Sequence, residues 1–289
     1  MELQIHSRGL YSTFVLIPDF NLMFDAGEGV AAQIGPPVTS LRKIFLSHAH
    51  TDHIMGLPTL LNIRGRHKDV EPIQIFYPKD TRRIENLRAF IGDMRNVEWI
   101  AIDEGAEIEV QKNLFVRAFA TTHIPSHAGH GSLGYSLIER RTRRRSEFAS
   151  LNERDIASAV RDASDRGEKL QINEACEKTL VVYTGDTGPL PESTMQAWNS
   201  PDILIHDATY ILDEDSENER HSTVSQAERA RLISGAHQLI GFHLSVRYQA
   251  HWKSHLRTLS ADTWLIPPDG ELHRIDTTPI HAAAKIAMR

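Results

Sequence analysis

Short apolar runs alternate with segments of helical periodicity along most of the chain, which predicts an α/β layered protein. Apolar runs at 13–18 and 22–25 flank a polar turn at 18–21 and predict a β-hairpin. Further strands are predicted at 41–46, 73–77, 114–120, 135–139, 179–183, 202–205 and 238–242, and helices at 54–61, 80–91, 152–167 and 224–235. Polar residues suited to catalysis recur just after these strands, so we expect one cleft in a single domain spanning residues 1–289.

The segment 139–178 differs from its surroundings because it opens with a basic run. The run consists of Arg140, Arg141, Arg143, Arg144 and Arg145. Two interpretations of this run remain open: a contact with RNA phosphates, and a solvated strand end or loop. Within the segment, Asn152 is suited to cap a helix that Gly167 ends. We therefore predict a short basic arm or insertion here.

The composition is that of a globular protein with a full core, since 40% of the 289 residues are hydrophobic and 24% are charged. The N-terminal residues lack the layout of a signal peptide, and no run reaches the ~18 apolar residues that cross a bilayer. The single cysteine, Cys176, excludes an internal disulfide and a cysteine-based zinc site. We expect a cytoplasmic protein. The net charge of −6 argues against nucleic-acid binding over the whole surface, but not against a local basic patch.

The run at 47–54 is unusually rich in metal-binding side chains. Its potential ligands are His48, His50, Asp52 and His53. The run follows an apolar strand and precedes a helical segment, so these side chains are expected on a turn at a sheet edge. Neutral imidazoles and a carboxylate suit zinc, with manganese or iron as competitors. Asp25, which also follows a predicted strand, is expected to orient this turn through hydrogen bonds.

A hydrolase with two metal ions needs further ligands, normally including a carboxylate that bridges both ions. Asp186 follows an apolar strand in a tight glycine turn, and His243 ends another apolar strand. For the remaining ligand, the sequence offers His123, His127 and His130. We prefer His123 because it directly follows a clear strand, whereas the other two lie in a glycine-rich loop.

Seven motifs of this chain resemble those of the ribonuclease Z family in the metallo-β-lactamase superfamily. They lie at 24–29, 47–58, 123–135, 183–187, 205–210, 221–227 and 242–248. The pattern His-x-His-x-Asp-His at 48–53 is shared by the whole superfamily. The last three motifs, which begin Ile-His-Asp-Ala-Thr, His-Ser-Thr and Phe-His-Leu-Ser, are more specific and point to its phosphodiesterase branch.

This resemblance implies a four-layer αβ/βα sandwich of the metallo-β-lactamase type. It also implies two zinc ions per chain, or Mn²⁺ or Fe²⁺ in their place, held by three groups of side chains: His48, His50 and His123 on one ion, Asp52, His53 and His243 on the other, and Asp186 between them. The implied activity is removal of the 3′ trailer from precursor tRNA by a metal-activated hydroxide. The implied assembly is a homodimer.

The departing ribose 3′-oxygen is a poor leaving group unless it is protonated, so a general acid is valuable. Following the resemblance, we assign His221 to this role and Asp207 as the acceptor of its other ring N–H. Asp52 could also accept a proton from the attacking water. The family has Glu where this chain has Asp207, so a shorter side chain must reach His221. A competing interpretation is that His221 only helps to cap the helix that follows.

Two other functions are compatible with the sequence. A small-molecule phosphodiesterase or sulfatase of the same superfamily would fit the acidic net charge. A non-catalytic RNA-binding member would fit the basic run but leaves the ligand set unexplained. Hydrolysis of β-lactams or thioesters would leave His221 and Asp207 without a role. Residues 250–289 carry no chemical motif.

Overall fold

Two mixed β-sheets of seven strands each form the centre of the fold. The computed structural model describes residues 1–124, 131–216, 219–250, 252–255 and 260–277. Helices cover the outer face of each sheet, and the inner faces of the sheets pack against each other. This is the four-layer αβ/βα arrangement expected from the sequence, and that prediction is confirmed.

The first sheet has the strand order β14-β1-β2-β3-β4-β5-β6. Its strands are β1 (Glu2–Arg8), β2 (Ser12–Ile17), β3 (Leu22–Phe24), β4 (Lys43–Phe45), β5 (Ile73–Pro78), β6 (Val97–Ile102) and β14 (His273–Asp276). Pairing is antiparallel from β14 to β3 and parallel from β3 to β6. The antiparallel pairing of β2 with β3 confirms the predicted hairpin.

The second sheet has the strand order β13-β12-β11-β10-β9-β8-β7. Its strands are β7 (Glu107–Gln111), β8 (Leu114–Ala120), β9 (Leu133–Arg144), β10 (Asn173–Tyr183), β11 (Ile203–Asp207), β12 (Gln238–Phe242) and β13 (Thr263–Leu265). Pairing is antiparallel from β7 to β10 and parallel from β10 to β13. The parallel strands of both sheets end at the same edge of the sandwich, so the loops that follow these strands lie close together.

The helices of the described residues are α1 (Val30–Ile34), α2 (Thr51–Ile54), α3 (Leu57–Gly65), α4 (Arg82–Ile91), α5 (Glu153–Asp165), α6 (Glu192–Ala197), α7 (Val224–Ser234) and α8 (Trp252–His255). Helices α1 to α4 pack on the first sheet, and α6 and α7 pack on the second. None of them is long and apolar enough to span a bilayer.

The core between the sheets is apolar and aromatic. Phe24 on the first sheet stacks between Tyr135 and Tyr183 of the second, with ring centroids 5.7 and 5.2 Å away. All three side chains are fully buried. Stacked aromatic pairs at such distances contribute about 1 kcal/mol each beyond their buried area. The two sheets are therefore held face to face directly beneath the edge at which the predicted ligands lie.

Several elements differ from the sequence-based prediction. Strands β9 and β10 extend far beyond the predicted 135–139 and 179–183, and their outer halves form a two-stranded hairpin beyond the sheet. The predicted helix at 54–61 is two helices, α2 and α3, separated by Met55 and Gly56. Strands β13 and β14 lie in the C-terminal segment that carries no chemical motif.

The projecting hairpin of β9 and β10, together with α5, occupies the segment 139–178 for which an arm or insertion is predicted. Asn152 caps α5 by accepting hydrogen bonds from two backbone N–H groups, as expected. The arginine run lies on β9 and just after it, where Arg140 bonds Glu177 and Glu107 at 3.0 and 2.6 Å and Arg143 bonds Glu174 at 2.8 Å. Facing carboxylates thus balance much of the basic charge, which favours the interpretation as a solvated strand end.

The loop that carries the predicted ligands interlocks with the loop after β3. The Gly56 N–H donates to the Ala26 carbonyl at 2.8 Å, and the Ala26 N–H donates to the His53 carbonyl at 2.7 Å. A Cβ atom built on Gly56 would overlap the Gly27 carbonyl oxygen and a methyl of Val30. Only glycine therefore allows the two loops to approach this closely.

We predict that Gly56→Ala lowers the free energy of unfolding by about 2 kcal/mol or more, because backbone atoms block the added methyl. Urea unfolding followed by circular dichroism measures this change. Gly65→Ala at the end of α3 is the control, since its methyl would meet only the flexible tip of Met94. Equal stability of the two variants would contradict the interlocking described above.

Candidate metal centre

The predicted metal ligands come together at one edge of the two sheets. His48, His50, Asp52 and His53 follow β4 of the first sheet, while His123, Asp186 and His243 follow β8, β10 and β12 of the second. The turn after β10 depends on Gly185, whose φ of +60° suits glycine and whose missing Cβ leaves room for Ser47. The two sheets therefore both contribute side chains to one centre.

One carboxylate oxygen lies in the middle of this centre. Asp186 Oδ2 is 3.3 Å from both His53 Nε2 and His243 Nε2. It is 3.7 Å from His48 Nε2 and 3.8 Å from His123 Nε2. Four imidazole nitrogens from three segments thus surround a single carboxylate, an arrangement suited to a bridging ligand.

The other ligand atoms lie on either side of Asp186. Asp52 Oδ2 is 3.6 Å from His53 Nε2 and 3.3 Å from His243 Nε2. His50 Nδ1 is 3.0 Å from His123 Nε2 on the opposite side. Ligands about 2.0–2.1 Å from a tetrahedral zinc ion lie ~3.3 Å from one another, so these spacings suit a metal. The preferred third histidine, His123, is part of this cluster.

The two alternatives to His123 in the sequence analysis, His127 and His130, lie outside the described residues. His123 itself is 3% exposed, and its Nδ1 donates to the Arg220 carbonyl at 3.0 Å. That hydrogen bond turns Nε2 toward Asp186.

Several buried atoms of the centre lack hydrogen-bond partners among the described residues. They are His48 Nε2, His53 Nε2 and Asp186 Oδ1. A buried polar atom without a partner costs about 1–3 kcal/mol, so native proteins rarely leave three together. A divalent cation bound at these atoms would satisfy them. The donor set therefore fits a metal.

The pKa shifts of these groups also indicate that the site favours a bound cation. Burial alone would lower the pKa of His53, but the nearby carboxylates of Asp186 and Asp25 raise it well above its ordinary value. Burial would raise the pKa of Asp186, but the surrounding imidazoles hold it well below its usual range. Burial would raise the pKa of Asp52, but its contact with His243 and the charge of His53 outweigh this effect and lower the pKa to about 2. The carboxylates are thus ionised and attract a cation.

Asp25 fixes the ligand turn, as the sequence suggested. Its carboxylate accepts hydrogen bonds from the Ser47 N–H, the Ser47 hydroxyl and His53 Nδ1, all at 2.7 Å, and from the Tyr183 hydroxyl at 2.5 Å. Because Nδ1 of His53 donates to Asp25, Nε2 is the ring nitrogen that faces the centre. Asp25 has a φ of +56°, an uncommon conformation for an L-residue that recurs at functional sites.

His221 and Asp207, the predicted proton-donating pair, lie beside the cluster. His221 Nδ1 is 2.8 Å from Asp207 Oδ2, so the shorter side chain of Asp reaches the ring. Ligand atoms of Asp186 and His243 lie within 4.8 Å of those of Asp207 and His221. The competing role of His221 as a helix cap is filled by Thr223, which forms a capping box with α7.

The protonation of His221 follows from its surroundings. Burial lowers the pKa of the imidazole, but the charge of Asp207 and its hydrogen bond outweigh this and raise the pKa to about 9. Asp207 is itself completely buried, and the charge of His221 lowers its pKa despite that burial. The pair is thus an imidazolium and a carboxylate at neutral pH.

Three side chains that support the centre were not predicted from the sequence. The Ser47 hydroxyl contacts His48 Nδ1 at 2.9 Å, and the Tyr183 hydroxyl bonds Asp25. The Thr209 hydroxyl contacts Asp207, His221 and His243. All three residues lie within the seven motifs that resemble the family, and this position was the only sign of their importance. A hydroxyl in a motif does not reveal which side chain it contacts.

Comparison with known proteins identifies the family. Residues 8–141 match the metallo-beta-lactamase superfamily. The ribonuclease Z of Methanosarcina mazei is 32% identical to this chain over 251 residues, which are 78% of the chain and 79% of that protein. The chain belongs to the ribonuclease Z family. The resemblance drawn from the seven motifs is thereby confirmed, and with it the expectation of a metal-dependent hydrolase.

Two solved structures share the fold of this ribonuclease Z family member. Human tRNase Z, short form, aligns with a TM-score of 0.63 at 20% identity and covers 96% of this chain and 100% of its own. A diphosphatase of the PhnP family aligns with a TM-score of 0.65 at 14% identity and covers 96% of this chain and 98% of its own. At such identities the likeness concerns the fold alone.

We predict that adding a divalent metal to the metal-free protein raises its Tm by roughly 5–10 °C, because the ion binds the folded state and satisfies the buried atoms. Differential scanning calorimetry with zinc measures this shift. Asp186→Asn keeps the shape of the side chain and removes its charge, so its Tm should respond much less. An equal response of this variant would show that zinc binds elsewhere.

Proposed function

We propose that the chain is a zinc-dependent endoribonuclease that removes the 3′ trailer of precursor tRNA. The observation that carries the proposal is the His221–Asp207 pair beside the metal ligands, because a proton donor is needed where the leaving group is an alkoxide. Membership of the ribonuclease Z family supports RNA as the substrate class. A hydrolase of activated esters would have little use for such a pair.

We further propose that two zinc ions are bound. His48, His50 and His123 would hold one ion, Asp52, His53 and His243 the other, and Asp186 both. The predominance of imidazole donors favours zinc, with Mn²⁺ or Fe²⁺ as alternatives. Two such ions would acidify a water molecule and withdraw charge from the phosphoryl oxygens.

The residues of the chain carry the proton transfers in this proposal. Asp52 is ionised and accepts a proton from the attacking water. His221 carries a proton on Nε2 and delivers it to the departing 3′-oxygen, while Asp207 accepts the hydrogen bond from Nδ1 and stabilises the imidazolium. The depth of Asp207 in the protein keeps solvent from competing for that hydrogen bond.

The remaining sequence-based expectations belong to the same proposal. The chain would act as a single domain in a cytoplasmic homodimer, with the arm at 139–178 contacting the tRNA. The arginines of this arm can exchange their exposed glutamate partners for RNA phosphates with little loss of free energy. The reason is that each such surface ion pair contributes at most about 1 kcal/mol to stability.

A second candidate is a phosphodiesterase acting on small molecules. The pairing of the arginine run with glutamates and the net charge of −6 favour it, because both reduce the attraction for RNA. Rapid hydrolysis of bis(p-nitrophenyl) phosphate without salt-sensitive tRNA binding would support this candidate.

We predict that His221→Ala lowers kcat for cleavage of a trailer-bearing precursor tRNA by about 100-fold or more and leaves the metal content unchanged. The reason is that His221 supplies a proton, whereas the predicted ligands hold the metal. Gel analysis of the cleaved RNA and elemental analysis of the protein measure the two quantities. His237→Ala, at an exposed histidine, is the matched control.

Failure of the folded, zinc-loaded wild-type protein to cut the precursor at its 3′ side would refute the proposed substrate. A loss of metal in His221→Ala that matches its loss of activity would refute the role of His221.

We predict that kcat for RNA cleavage falls as the pH rises through about 9, because His221 then loses the proton it donates. The raised pKa also means that the His221–Asp207 attraction stabilises the fold fully below pH ~6.5 and is lost through about 9. In Asp207→Asn the attraction is gone, so the fall in kcat should begin at lower pH. A pH profile with the same basic limb in both proteins would exclude His221 as its source.

A further inference from the structure

A single buried hydroxyl connects the metal ligands to the proton-donating pair. Thr209 is 7% exposed and lies two residues after Asp207, just beyond β11. Its Oγ1 is 2.7 Å from Asp207 Oδ1, 3.1 Å from His221 Nδ1 and 3.0 Å from His243 Nδ1.

The hydrogen atoms available at Thr209 fix the direction of these contacts. A hydroxyl donates one hydrogen bond, and the ionised Asp207 only accepts, so the Thr209 proton lies toward Asp207 Oδ1. The oxygen of Thr209 then accepts from His243 Nδ1–H. His221 directs its own Nδ1–H to the other oxygen of Asp207, at 2.8 Å.

This arrangement selects one tautomer of His243. With the proton on Nδ1, the lone pair of Nε2 points toward Asp52 and Asp186, 3.3 Å away in each case. The opposite tautomer would set an N–H of His243 against the site of the cation and remove the hydrogen bond that Thr209 accepts from His243. A ligating histidine typically owes its orientation to such a partner on its other nitrogen.

Hydrogen bonds of the Thr209 backbone hold its hydroxyl in place. The Thr209 N–H donates to Asp207 Oδ1 at 2.8 Å, and the Thr209 carbonyl accepts from the Ser245 N–H at 3.0 Å. Ser245 lies two residues after His243, so this bond ties the end of β11 to the loop that carries the ligand. The rings of His221 and His243 lie 5.2 Å apart and only 6° from parallel.

We propose that Thr209 is a positioning residue that selects the metal-binding tautomer of His243 and holds its ring in register with His221. It thereby couples metal binding to proton donation. The inference rests on the proposed function in one respect, since that function assigns His243 to a metal ion and His221 to the leaving group.

The test compares Thr209→Val, which keeps the shape and removes the hydroxyl, with Thr209→Ser, which keeps the hydroxyl. Thr179→Val is the matched control, because Thr179, in β10, is equally buried and its hydroxyl bonds no described residue. Zinc affinity is measured by competition with a chromophoric chelator. We expect a loss of 10- to 100-fold in Thr209→Val. Thr209→Ser and Thr179→Val should stay within about threefold of the wild type.

A second measurement distinguishes the effect of Thr209 on proton donation from its effect on metal binding. At saturating zinc, kcat is compared for precursor tRNA, with its alkoxide leaving group, and for bis(p-nitrophenyl) phosphate, whose leaving group needs no proton. Thr209→Val should impair RNA cleavage at least tenfold more than hydrolysis of the small diester. Equal impairment of both substrates would overturn the link to His221.

A third measurement uses the unaltered protein and so does not depend on the folding of a variant. ¹⁵N NMR of the histidines in zinc-loaded wild-type protein should show His243 protonated at Nδ1. A proton on Nε2 would overturn the proposal, as would equal zinc affinity in Thr209→Val and Thr179→Val. An equal loss in Thr209→Ser and Thr209→Val would also overturn it. Because zinc affinity and the tautomer require no RNA, they decide the role of Thr209 even if precursor tRNA is not cleaved.

Discussion

The site depends on the burial of ionised groups around one carboxylate. Asp186 is 2% exposed, and removing a carboxylate from water costs several kcal/mol unless opposite charge compensates. The histidines around it carry no permanent charge, so they do not by themselves compensate its burial. A cation at this point compensates the carboxylates, and because its ligands follow strands of both sheets, it also joins the sheets at their common edge.

The predicted histidine ligands are held in place by hydrogen bonds from the ring nitrogens that face away from the centre. His53 donates to Asp25, His123 to the Arg220 carbonyl and His243 to Thr209. Each acceptor comes from a different segment of the chain. Because the outer nitrogens have fixed partners, the inner nitrogens of these rings already face one common site. Binding of an ion there would require little rearrangement of the side chains.

The sequence predicted the strands that lead into the site better than those at the sheet edges. The apolar runs before His48, Asp186 and His243 are buried on both faces, and such strands are readable as continuous hydrophobic segments. The edge strands β7 and β14 are half polar, so their composition does not distinguish them from loops. Thr209 could not be recognised, because its role arises from three partners that only the folded chain brings together.

The arm hairpin is continuous with the strand that carries the central carboxylate. β10 runs from Asn173 at the tip of the arm to Tyr183, three residues before Asp186, and β9 pairs with it along this length. Eleven extended residues span roughly 35 Å. The outer end of the hairpin therefore lies at a set distance from the metal ligands, and insertions in the hairpin would change that distance without altering the ligand geometry.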